Sequence, residues 1–334
     1  MAVDTTAAPP NAGRKIRRLG IAVAIVVALY SAGWFYLASK FETFLGQFVN
    51  QASPGDVSIT CGKLSTGGFP FLIGFTCDNT VIDDQSTGNK VTAGPFRAAA
   101  RIYNPGAAIV ELEGPADFTL GDGSTVAARW KLLRSSLHAN FSGLSQLSLE
   151  GDLPSLRLQS PRLYGPIDFK AKEGELHLRQ NNGDLDLAAI ANDFEWNDEG
   201  GNAILPKLST SFDLTLIGKG ALLEGKPLVT KAMKGELRAF KIETPDGMYG
   251  EMSGPFTIDD EGYITGTFRT TLEKLDLWDE KLRTIFPEAG DTISGMAALL
   301  KGLAKGEDKV TVKLKVDKGR ISLSLLPLGK IPPI

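Results

Sequence analysis

The longest uncharged stretch of this chain, Leu19 to Ser39, comes near its start and decides where the rest can fold. Its 21 residues reach roughly 30 Å at ~1.5 Å per residue, the thickness of a bilayer's hydrocarbon core. Arg14, Lys15, Arg17 and Arg18 precede it, and Trp34, Phe35 and Tyr36 occupy its far end. Basic residues stay on the cytoplasmic side, and amphipathic rings favour the membrane interface. Residues 1–18, with Pro9 and Pro10 in a disordered start, are therefore expected to form a cytoplasmic tail. Residues 19–39 are expected to form an inner-membrane anchor, with all that follows on the far side. A cleaved signal peptide is the competing reading, but its apolar core usually spans about 7–15 residues and ends in a small-x-small site. Here the core is longer, it ends in bulky aromatics, and Tyr30-Ser31-Ala32 is a poor cleavage site. Either reading exports the remainder.

Residues 40–51 continue as a juxtamembrane helix. Phe41, Phe44, Leu45, Phe48 and Val49 fall at helical spacing on one face. That stripe is expected to dock on the following domain rather than lie on the membrane surface. Residues 52–334 then read as one periplasmic, β-rich domain. Period-two alternation recurs from Val57 onward, with turn residues between the runs. Asn182-Gly183, between Glu175–Arg179 and Asp184–Leu187, is a strong hairpin signal, because both residues accept positive φ. The last pair is the clearest: Val310, Val312, Leu314 and Val316, then Asp317-Lys318-Gly319, then Ile321, Leu323 and Leu325. Strands half apolar and half polar belong to antiparallel sheets with one covered face. No helix-length segments alternate with them, which disfavours a parallel α/β sheet. The expected fold is mainly β: a long curved antiparallel sheet behind an N-terminal transmembrane helix, with a C-terminal helical cover.

That cover is the stretch Leu272 to Leu303, split in two by Pro287 and Gly290. It is expected to cap the open face of the sheet and to wall an apolar ligand such as an acyl chain. Leu277, Ile293, Met296, Leu299, Leu300 and Leu303 are the candidate lining residues, chosen for their apolar spacing.

Cys61 and Cys77 are the only cysteines. In an exported domain such a pair reads as a disulfide. Val57 and Ile59, and then Phe71, Ile73 and Phe75, alternate as strands do, so the picture is a hairpin of these two runs with Gly67-Gly68 at its tip and the sulfurs clamping its base. Phe69, Pro70 and Phe71 follow that tip and form a candidate contact turn for another protein. The single anchor, the Cys61…Gly68-Phe69-Pro70-Phe71…Cys77 arrangement and the closing Pro327-Leu328-Gly329-Lys330-Ile331-Pro332-Pro333 resemble the family known as domain of unknown function 2125. The resemblance implies an exported protein of Gram-negative bacteria, and it brings no activity and no catalytic residues. More loosely, a run of strand pairs behind an anchor is similar to the AsmA-like envelope proteins, which implies lipid movement or outer-membrane assembly.

Reaction chemistry has little support in the sequence. The only histidines are His138 and His177, with no further ligand near either, and no G-x-S-x-G, P-loop or H-E-x-x-H motif occurs. Asp83-Asp84 and Asp259-Asp260-Glu261 read as solvated turns without EF-hand spacing. Net charge is -3, so clustered cationic binding of nucleic acid is not expected. The expectation is a protein that is not an enzyme and needs no metal or cofactor. Its partners would be the inner membrane, a lipid, or another envelope protein. Lipid binding or transfer is the leading function, and a scaffold in envelope assembly is the alternative.

Overall fold

The structure, a computed structural model, describes residues 12–50, 57–161, 165–198, 200–226, 232–324 and 326–333, with only the backbone of 12, 47–50 and 154. The expected tail before Ala12, the side chains of Phe48 and Val49, and Leu325 lie outside the described residues.

One helix, α1 (Ala12–Asn50), takes in both the expected anchor and the juxtamembrane stretch without a break. No proline interrupts its 39 residues, so nothing removes a backbone donor from its ladder. It is long and apolar enough to cross a membrane.

Strands follow in one antiparallel sheet. The first ten are short to moderate: β1 (Val57–Cys61), β2 (Leu64–Gly67), β3 (Leu72–Cys77), β4 (Thr80–Asp84), β5 (Asn89–Ala93), β6 (Phe96–Arg101), β7 (Asn104–Glu113), β8 (Ala116–Thr119), β9 (Thr125–Arg129) and β10 (Leu132–Asn140). A long meander comes next: β11 (Gly143–Gln159), β12 (Ile167–Asn181), β13 (Asp184–Asn197), β14 (Ala203–Leu216), β15 (Met233–Glu243), β16 (Tyr249–Ile258) and β17 (Ile264–Glu273). Helices α2 (Leu275–Ile285) and α3 (Gly290–Ala304) interrupt it before β18 (Lys309–Asp317), β19 (Arg320–Leu323) and β20 (Leu326–Lys330) close the chain.

The sheet forks at β11. The first half of β11 pairs with β10, and its second half, Ser155–Gln159, pairs with β9. One branch then runs β10-β7-β6-β3-β2 and the other β9-β8-β5-β4-β1. The chain passes between the branches at five connections: Gly62-Lys63, Asp78-Asn79, Gly94-Pro95, Gly114-Pro115 and Trp130-Lys131. Backbone bonds knit these corners, Gly94 N–H to Pro115 O at 2.9 Å and Glu113 N–H to Pro95 O at 2.8 Å. The indole N–H of Trp130 adds a third bond, to Leu112 O at 2.9 Å. The approach is too close for a side chain at Gly114, where a Cβ would stand 2.2 Å from Trp130 O.

The sequence expectation for the cysteines needs one correction. The hairpin is β2–β3, with Gly68–Phe71 at its tip and Cys77 opposite Leu64 at its base. Val57 and Ile59 do not belong to it; their strand, β1, pairs with β4. The Cys61–Cys77 disulfide, with Cα atoms 5.6 Å apart, therefore joins the far ends of the two branches. A pattern of alternation cannot reveal this, because it assigns a strand to a face and not to a neighbour.

One face of the sheet is ionic. Glu111 meets Arg97 at 3.4 Å and Arg134 at 3.2 Å, and Arg134 reaches Glu150 at 3.6 Å. Further along, Asp186 accepts from Arg179 (2.8 Å), Thr215 (2.7 Å), Arg238 (3.0 Å) and Asn181 (3.1 Å). Burial pushes this carboxyl up, but those donors outweigh it and hold it well below the usual carboxylate range.

Two outcomes follow for stability. Replacing both cysteines by serine in the full chain should cost about 3 kcal/mol in urea titrations, the chain-entropy value for a loop of 16 residues. Asp186→Asn should cost about 2 kcal/mol near neutral pH, because several donors lose a charged acceptor. A depressed carboxylate stabilises only while it is ionised. The gap between wild type and Asp186→Asn should thus be full above the ordinary value of 3.8 and shrink as pH falls below it. A gap that stays constant down through acid would show that the charge is not responsible.

Candidate functional site

Residues directly opposite one another in antiparallel strands share a face. Following the register across the sheet from the anchor side gives Phe75, Ala98, Val110, Ser135, Leu149 and Leu176, each opposite the next. The same row continues through Ala189, Phe212, Phe240, Met252, Thr270 and Val312. At ~4.8 Å per strand it covers roughly 50 Å. The adjacent row is Leu137, Leu147, Leu178, Leu187, Leu214 and Leu237. No charged residue enters either row. Residues of the opposite parity, such as Glu111, Arg134, Glu150, His177 and Asp186, form the ionic face.

This apolar face is only partly covered. Leu237, Phe268 and Val316 are buried, with Leu214, Phe240, Met252 and Phe256 packed half-exposed around them. Elsewhere most of the row is half-buried. Two hollows lie along it, each of about 350 Å³. The first is walled by Leu133, Leu149, Leu156, Phe169, Leu176 and Phe194. The second lies between the sheet residues Leu272, Val312, Leu314 and Ile321 and the helix residues Trp278, Leu282, Ile293, Met296 and Leu300. At the opposite end Phe41 of α1 meets Phe75, ring centroids 6.2 Å apart, and Phe75 meets Phe96 at 5.6 Å. Helix α1 therefore abuts the start of the face, and α2 and α3 cover its end.

Polar atoms on this face stand out by contrast. Ser135 Oγ, Trp196 Nε1 and Thr270 Oγ1 are the side-chain atoms among the described residues that are buried without a hydrogen-bond partner. Each sits on the apolar side: Ser135 and Thr270 in the first row, and Trp196 opposite Phe169 and Leu205. A buried donor left unpaired costs about 1–3 kcal/mol.

The six candidate lining residues divide. Ile293, Met296 and Leu300 line the second hollow. Leu299 and Leu303 point away, 40% and 51% exposed, and Leu277 is half-buried beside the hollow without lining it. Helical period separates them: 293, 296, 297, 300 and 304 share one face of α3, and 299 and 303 lie off it. The candidate contact turn is partly occupied by the chain itself, since Phe69 packs edge-on to Trp34 at 5.4 Å and stacks on Phe35 at 5.5 Å. The sheet residues of the two rows were not candidates in the sequence. Each strand displays its apolar set, but only the register shows that the sets line up.

His177 lies on the ionic face, 3.0 Å from Glu175, and His138 is exposed. Among the described residues no three His, Cys, Asp or Glu side chains gather as a metal-ligand set. What the arrangement can do is hold apolar chains against a surface with a few isolated hydrogen-bonding points.

No curated protein matches the chain. The family described as an uncharacterized protein conserved in bacteria, domain of unknown function 2125, matches residues 34–332. That span takes in the later part of α1, the whole sheet and the helical cover, and the chain belongs to this family.

Proposed function

We propose that this protein is a membrane-anchored component of the bacterial cell envelope, with its β domain in the periplasm, that shelters lipid acyl chains along the apolar face of its sheet. The observation that carries this reading is the uncharged, mostly apolar register from Phe75, beside α1, to Val312, beneath the helical cover. A face of that length open to water is costly at roughly 25 cal/mol per Å² of apolar surface. Acyl chains lower that cost without needing directional contacts.

Passive handling of lipid also suits the charge pattern. The Arg and Glu ladder keeps the opposite face wetted, so the sheet has one oily side and one aqueous side. The scaffold alternative would use the Phe69-Pro70-Phe71 turn, but α1 already takes one ring of that turn.

Leu178 and His177 are neighbours on β12 that face opposite sides of the sheet, which makes a direct test. A photoactivatable phenylalanine analogue at 178 should capture lipid in intact cells, while the same group at 177 should not. Equal capture at both positions, or none at 178, would remove the proposal. Thr270→Val keeps the side-chain shape and removes an unpaired hydroxyl. It should leave the lipid-free protein as stable as wild type or up to about 1 kcal/mol more so, measured by the urea midpoint.

A further inference from the structure

We infer that three successive turns at one end of the sheet are immersed in the membrane leaflet nearest the β domain, beside α1, and seat the domain on the bilayer. The turns are Gly68–Phe71 between β2 and β3, Ile102-Tyr103 between β6 and β7, and Phe141-Ser142 between β10 and β11. Because β3 pairs with β6, β6 with β7, and β7 with β10, the turns are neighbours at a spacing of roughly 10 Å.

Each turn presents an aromatic ring outward: Phe71 is 63% exposed, Tyr103 73% and Phe141 113%. None of the three contains a charged residue. The connections at the other ends of β2 and β3, Gly62-Lys63 and Asp78-Asn79, are polar or charged. An exposed aromatic in every turn, all at one end, is the pattern of a surface that meets a membrane interface.

The anchor helix fixes the depth. The Tyr30 hydroxyl donates to Pro70 O, and the Trp34 indole N–H donates to Leu72 O at 3.0 Å. Tyr30 lies roughly 17 Å, and Trp34 roughly 22 Å, along the uncharged stretch that begins at Leu19. Both levels fall short of the ~30 Å needed to clear the hydrocarbon layer. A turn bonded to the helix at those levels is carried below the membrane surface.

The turn's backbone is prepared for that setting. Unpaired peptide groups in hydrocarbon cost several kcal/mol each. Here Pro70 has no N–H to satisfy, and the Pro70 and Leu72 carbonyls are met by α1 side chains. Leu72 N–H donates to Gly68 O at 2.8 Å, and Ile102 N–H donates to Phe71 O at 3.1 Å. Arg101, opposite Leu72 in register, is exposed and long enough to reach lipid phosphates.

The inference rests on α1 as a membrane span and not on what fills the apolar face. It is tested with the full chain in phosphatidylethanolamine–phosphatidylglycerol nanodiscs, carrying one spin label at a time through Phe71→Cys, Tyr103→Cys or Phe141→Cys. The native cysteines are bridged and do not react, and all three positions are exposed, so the label disturbs no packing. Val26→Cys gives the buried reference and Gln85→Cys the aqueous one. The ratio of oxygen to water-soluble nickel accessibility at 71, 103 and 141 is expected to lie several-fold above that at Gln85 and to approach that at Val26. Aqueous readings at the three turns with a deep reading at Val26 would overturn the inference and leave the span intact. A deep reading at 71 alone would overturn the row of turns, and an aqueous reading at Val26 would overturn span and inference together.

Discussion

The pairing register of the sheet is the constraint on which the rest depends. With a side-chain period of two, one slipped residue in any strand would send its apolar set to the ionic face and a run of charges into the hollows. The bulges, at places such as Ala191/Phe194 in β13 and Leu237/Phe240 in β15, come where the apolar parity has to be recovered after an irregular stretch. Leu237 and Phe240 both face the apolar side although three residues separate them. In a regular strand, residues three positions apart face opposite sides, and the bulge absorbs the extra residue so that both keep the apolar side.

The same constraint explains why the fold needs so little conventional core. Among the described residues no large side chain is completely buried. Stability is spread along strand-to-strand contacts, each strand leaning on two neighbours. Such a structure is weakest at its ends. At one end the two branches of the fork have no further strand to pair with, and the Cys61–Cys77 bridge joins them there. At the other, α2 and α3 cover the last strands: Trp278 donates to Tyr249 O at 3.1 Å, and Leu275, Ala304 and Val310 make a small buried cluster.

Much of this was legible in the sequence, because it is written in local patterns. The uncharged stretch from Leu19 to Ser39 announced the helix, the alternation announced the strands, Asn182-Gly183 announced a hairpin, and Pro287 with Gly290 split the helical cover. What was not legible is relational. Val57 and Ile59 carry the alternation of a hairpin arm, yet their partner is β4 and not β3. Leu299 and Leu303 are as apolar as Ile293 and Met296, and their places on α3 follow from the helical period only once the face that meets the sheet is known. The apolar rows are a third case: every member was visible, and the alignment of twelve strands was not.

The position of the anchor relative to the apolar face gives the architecture its direction. Along α1, Tyr30, Trp34 and Phe35 engage the Gly68–Leu72 tip, Phe41 engages Phe75, and Glu42 accepts from Thr66 at 2.9 Å. Successive levels of the helix thus meet successive levels of the β2–β3 hairpin, so the hairpin climbs α1 rather than hanging from a flexible tether. The first residue of the apolar row lies on that hairpin. Under the proposed function, a hydrocarbon chain following α1 out of the bilayer would meet Phe75 and Phe96 beside the Glu42–Thr66 contact, while the Arg and Glu pairs of these strands project from the opposite face. An anchor that merely tethered the domain would need none of these contacts. Under the proposed function, the same contacts set the beginning of the apolar surface against the membrane.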